Sequence, residues 1–192
     1  DNGALKATFS NCWHDGAWDG SLVSGDDATL YISQNSTLTV SDALNLGAVT
    51  VVKEGEDDVT LTISGAGALT TEGWTIPEGV TVNTPTSMSI SGTVSGDGVI
   101  NVPANTTLAM TNVTCSTKVT VSGTLETSGT NSFSAANTSA AGSLIHIVGG
   151  STTLSSAYQG IAGDITIDSV GELIMSNSLS DGVNVWWQHF NP

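Results

Sequence analysis

The stretch "ISGAGAL", residues 63–69, returns in altered form as "ISGTV" (90–94), "VSGTL" (121–125), "VGGSTTL" (148–154) and "VGELIM" (170–175). Each version is a β-branched run that ends at a glycine or resumes after one, and glycine supplies the corner conformations a β-branched residue cannot take. With Gly65, Gly92, Gly123, Gly150 and Gly171 as markers, the separations are 27, 31, 27 and 21 residues. Imperfect periods of this length mark a solenoid, in which each unit buries its apolar face only by stacking on the next.

Outward from these glycines the chain reads as strand nearly everywhere. "TLYIS" (29–33), "TLTVS" (37–41), "AVTVV" (48–52), "TLTIS" (60–64), "KVTVSGTL" (118–125) and "DITID" (164–168) alternate Val, Ile and Leu with Thr and Ser. Gly, Asn, Pro and Asp break the runs. The helix candidates "SDALNLGAV" and "FSAANTSAAGS" are short and glycine-broken, enough for a turn or two each. The expected fold is therefore all-β, a single-stranded parallel β-helix of roughly seven irregular coils with three short strands per coil. At an inter-strand spacing of about 4.8 Å this is a rod on the order of 35 Å long. A β-sandwich is the alternative, although the Asn-Gly hairpins it favours are nearly absent.

A solenoid exposes apolar interior and unpaired edges at both ends, so it needs caps. Phe9, Trp13 and Trp18 precede the first long strand, Trp186, Trp187 and Phe190 follow the last, and Trp74 is the one tryptophan between. This divides the chain into an aromatic and acidic N-terminal cap (1–28), the solenoid (29–178) and an aromatic C-terminal cap (179–192). The segment "WHDGAWDGSLVSGDDATLYIS" (13–33), followed by the degenerate Ser-Gly strands, resembles the passenger portions of bacterial autotransporter-associated β-strand-repeat proteins. The resemblance implies a right-handed β-helix displayed on or released from a Gram-negative-type cell. This chain carries neither the membrane barrel nor the long passenger of that family, which favours a secreted or vesicle-borne fragment.

Composition narrows the partners. Three lysines (Lys6, Lys53, Lys118) and no arginine face 18 acidic residues, a formal charge of -15 with a pI near 4.1. Nucleic-acid binding at neutral pH is excluded on charge, because affinity for phosphate backbones comes from Lys and Arg. Polyanion binding is an acid-only expectation, when His14, His146 and His189 are protonated. No apolar run reaches the roughly 20 residues of a membrane helix, and the chain opens on a polar Asp1. The expected place is extracellular, on an outer surface or in a secreted vesicle, and the expected partners are glycans or proteins.

The chemistry-bearing candidates are few. Asp15, Asp19, Asp26 and Asp27 are the candidates for an acid-active carboxylate pair or for Ca²⁺ ligands, and Glu54, Glu56, Asp57 and Asp58 form a second possible Ca²⁺ loop. Neither matches an EF-hand or a nonapeptide calcium repeat. "GDD" (25–27) is similar to the paired aspartates of β-helical polygalacturonases, without their Gly-His-Gly and Arg-x-Lys partners. Aspartic-protease triplets and a Gly-x-Ser-x-Gly elbow are absent as well. His14, His146 and His189 with Cys12 and Cys115 offer zinc-ligating atoms but none of the short spacings of a zinc site. Trp13, Trp18, Trp186 and Trp187 are candidates for stacking on sugar rings if exposed, and for caps if buried. Cys12 and Cys115, three to four coils apart on this reading, are expected to be free unless the N-terminal segment runs down the side of the rod.

Overall fold

The computed structural model describes residues 11–19, 22–155 and 160–175. Among these residues all regular structure is strand, and the coils stack in parallel to make a β-solenoid of about eight turns. One coil illustrates the path. Ala48–Lys53 lies on a first face, Val59–Ser64 on a second, and the start of Leu69–Thr75 on a third. The chain then bends within that strand so that Gly73 returns over Ala48, and the next coil begins. Ser87–Ser95 and Thr107–Cys115 each continue round the same corner as one nine-residue strand, with a register shift between Ser91 and Gly92.

Because side chains alternate along a strand, each face sends every second residue inward, and parallel register stacks these into ladders. On the first face the ladder runs Ala28, Val49, Trp74, Val94, Cys115, Phe133, Leu154 and Met175. The third face contributes Leu69, Met88, Leu108, Leu125 and Ile145, and the second Leu61, Val82, Ile100 and Val119. Nearly all are buried. Each large aliphatic side chain so removed from water is worth about 1.5–3 kcal/mol, and no helix is needed to cover it.

The first-face ladder advances by 21, 25, 20, 21, 18, 21 and 21 residues per coil. The glycine markers gave longer and less regular intervals because they sit at two different corners. Gly65 and Gly123 lie between the second and third faces, whereas Gly92, Gly150 and Gly171 lie between the third and first. Within one corner the spacing is regular: 123 − 65 and 150 − 92 are both 58 residues, and each interval spans three coils. Gly92 has φ 75° there, and a Cβ would lie 2.3 Å from the Glu72 carbonyl of the coil before it. In the following coil Asn112, at φ 55°, takes the same corner as the extra residue of a bulge.

The bulge leaves the Val113 amide without a ladder partner. Buried Asn131, from the next coil, supplies one: its Oδ1 accepts from Val113 N–H at 2.9 Å, and its Nδ2 donates to the Ser128 carbonyl at 2.8 Å. Similar pegs join Asn35 to the Thr60 amide (2.8 Å), Asn137 to Val119 (2.8 Å) and Asn112 to Thr130 (3.0 Å). Asparagine recurs at corners because its short amide satisfies backbone groups the coil leaves open.

At the N-terminal end Cys12–His14 pairs in parallel with Ala28–Ile32 and in antiparallel with Ala17–Trp18. Parallel stacking thus begins at Cys12, inside the segment read from sequence as cap. Trp13 stands in register with both Leu30 and Trp18. It is 1% exposed, and half-buried Trp18 packs against the same core. Asn11, fully buried, holds the incoming chain through Val23 N–H (2.6 Å), the Val23 carbonyl (2.8 Å) and the Asp26 carbonyl (3.2 Å). Trp186, Trp187 and the C-terminal cap lie outside the described residues, as do Phe9, Lys6 and His189.

Candidate functional site

Of the four N-terminal aspartates, Asp15, Asp19 and Asp27 make side-chain contacts within the fold, and Asp26 contributes its backbone carbonyl. Asp15 accepts from the Ser33 amide (3.0 Å) and hydroxyl and from the Ser36 hydroxyl (2.9 Å). Burial pushes its carboxyl up, but these donated hydrogen bonds outweigh that and hold it below the ordinary value of 3.8. That is the wrong direction for a general acid. Asp19 pairs with His14, whose ring stacks on Tyr31 at 4.4 Å and 5°. Asp27 accepts from the Ala48 amide at 2.8 Å, and the Asp26 carbonyl accepts from Gly47 N–H at 2.8 Å. These are the contacts that close the first coil onto the second.

Among the described residues no three His, Cys, Asp or Glu side chains come together to hold a metal ion. The "EGEDD" loop lies beside Lys53. There Lys53 Nζ donates to the backbone carbonyl of Glu56 at 3.3 Å. Lys53, Glu56 and Asp58 line an open groove of about 640 Å³ floored by Pro77, Glu78 and Gly79.

Trp13 is not available to a sugar, because strand alternation turns it inward while Cys12 and His14 face out. Neither cysteine is in a disulfide. They are separated by five parallel strand steps on the first face, about 24 Å at the usual spacing and far beyond bridging distance. Burial drives the Cys115 thiol up to about 12, and its S–H donates to the Thr117 carbonyl at 3.2 Å.

His146 had an undetermined face in the sequence. The structure turns Ile145 and Ile147 inward and His146 outward, between carboxylates of the coils on either side. Nε2 lies 3.1 Å from Asp168 Oδ1, and Nδ1 lies 3.6 Å from Glu126 Oε1. The two carboxylates address opposite ring nitrogens, which ties three coils together but gives one metal ion no shared position. Their sequence separations of 20 and 22 residues are one coil each, a signal that becomes readable only once the register is known.

The second face carries the most regular outer surface. Thr37, Thr62, Asn83, Asn101, Thr120 and Thr138 occupy one row across six coils, with no register shift in any of the pairings. Thr120 Oγ1–H donates to Asn101 Oδ1 at 2.9 Å, Asn101 Nδ2 to Asn83 Oδ1 at 2.8 Å, and Asn83 Nδ2 to Thr62 Oγ1 at 3.4 Å. A parallel row holds Thr60, Thr81, Val99 and Lys118. None of the strands of this face bears an Asp or Glu. No family model matches the chain, and no curated protein or solved structure matches it. No helix among the described residues is long and apolar enough to cross a membrane.

Proposed function

We propose that this chain is an extracellular structural and binding module, adhesin-like, for glycans or proteins, of the kind displayed by autotransporter-like passengers. The observation that carries the reading is how the described coils use their side chains. Apolar residues fill the interior, leaving a void of about 20 Å³ beside Phe133 and Leu154, room for about one water. The carboxylates of Asp15 and Asp27 hold neighbouring coils together, and the second face presents to solvent a long array of short polar side chains in fixed register. Such an array suits recognition by many weak hydrogen bonds rather than bond cleavage at one point. The alternative, an acid-active hydrolase using two of Asp15, Asp19, Asp26 and Asp27, is disfavoured by the lowered Asp15 and by the backbone duty of Asp27.

The test is a combined binding and turnover screen with neutral glycans, mucin glycopeptides and DNA, at acidic and neutral pH. Binding without turnover supports the module. Acid cleavage abolished by Asp26→Asn and Asp27→Asn would overturn it, and binding confined to DNA in acid would reduce it to charge reversal.

A further inference from the structure

Among the described residues the strands of the second face carry one charged side chain, Lys118, and no Asp or Glu. Three acidic residues nevertheless line its rim. Asp58, Glu78 and Asp97 stand one or two residues before Val59, Val80 and Val99, at the corner where successive coils enter the face. Against these three carboxylates stand Lys53, in the groove of Asp58 and Glu78, and exposed Lys118 on the face itself. The balance stays negative by one charge and disfavours a carboxylated polymer, whereas an uncharged one meets no carboxylate on the strands to desolvate.

The hydrogen bonds of the face are both ordered and incomplete. From Thr120 through Asn101 and Asn83 to Thr62 every donor points toward the N-terminal coils, an arrangement in which each bond polarises the next. Thr62 accepts at the end of this relay and keeps its own hydroxyl proton to donate. Each asparagine retains a second N–H and a second lone pair. The hydroxyls of Thr37, Thr60, Thr81 and Thr138 make no hydrogen bond to any described residue. Between these polar groups lie the threonine methyls and half-buried Val99, an apolar component of the kind that meets C–H faces.

We infer that the second face binds an uncharged, hydroxyl-rich polysaccharide lying along the solenoid axis, with the Thr62–Asn83–Asn101–Thr120 relay as its hydrogen-bonding spine. The row spans five steps between coils, about 24 Å, which several sugar residues in an extended chain would cover. No single rung is strong, and affinity comes from the number of rungs engaged together. This inference rests on the binding-module reading and names its site and ligand class.

The experiment is affinity electrophoresis and calorimetry of the full chain against a neutral linear glucan, a uronic-acid polymer and a mucin glycopeptide. Four proteins are compared: wild type, Thr81→Glu, Thr37→Glu and Thr93→Glu, with thermal melts to confirm folding. Thr93 faces outward on the first face and serves as control; Thr37 sits on an end coil, where substitution leaves the fold intact even if Thr81→Glu does not. The neutral glucan should bind wild type and Thr93→Glu alike, while Thr81→Glu and Thr37→Glu each lose about tenfold or more, roughly 1.4 kcal/mol. Equal glucan binding by all four proteins would refute this site and leave the module reading standing, as would binding of the mucin glycopeptide alone. Equal affinity for the uronic-acid polymer would refute the charge argument. No binding to any of the three would overturn both proposals.

Discussion

Replacing Asn131 by alanine tests how the corners hold the coils together. The substitution strands two groups in the third-to-first corner: the Val113 amide, which the bulge at Asn112 has already removed from the ladder, and the Ser128 carbonyl. Asn131 itself is 0% exposed, so water does not reach the gap freely. Leaving a buried donor or acceptor unsatisfied costs about 1–3 kcal/mol each, which puts the loss from the two groups at roughly 2–6 kcal/mol. Asn35→Ala provides the comparison, because Asn35 makes the same kind of bond to the Thr60 amide at 2.8 Å but is exposed. Water substitutes there, and the cost should stay below about 1 kcal/mol. Urea unfolding followed by circular dichroism, with both midpoint and slope compared, measures the difference. If Asn131→Ala and Asn35→Ala lower stability equally, burial does not set the value of these pegs and the account of the corner is wrong.

Cys115 should resist a thiol reagent at mildly alkaline pH until the chain unfolds, since its thiol is pushed to about 12 and its side chain is buried; rapid labelling in the native state would contradict its place in the ladder. Asp15 has a lowered folded-state pKa, so its contribution is fully present above the ordinary value of 3.8 and is lost as pH falls through the folded value. Asp15→Asn should therefore lower the melting temperature at neutral pH and bring it closer to wild type in strong acid; an equal deficit at both would exclude the ionised carboxylate as the cause. Calcium and EDTA should leave the melting temperature unchanged, because ligands that bind only the folded state raise it by mass action and no three-ligand group exists among the described residues.

Local patterns made much of the fold legible. Alternation in "TLTIS" and "KVTVSGTL" places Leu61, Ile63, Val119 and Val121 inside, and these residues are buried. The site was harder to read. Trp13 carries the same aromatic signal whether it stacks on a sugar or plugs a coil, and only its register with Leu30 and Trp18 decides between them. Glu126, His146 and Asp168 form a stack invisible along the chain because each lies a full coil from the next.

The sequence by itself determined that this chain is a stack of short strands with glycine and asparagine at its corners, because alternation and turn chemistry act within a few residues. Tertiary structure decided which corner each glycine occupies, hence the true repeat near 20 residues, and which threonines and asparagines share a row. Those facts depend on register between coils. Register is set by the sum of the interior ladders and corner pegs over the whole rod, a property no single stretch of sequence carries.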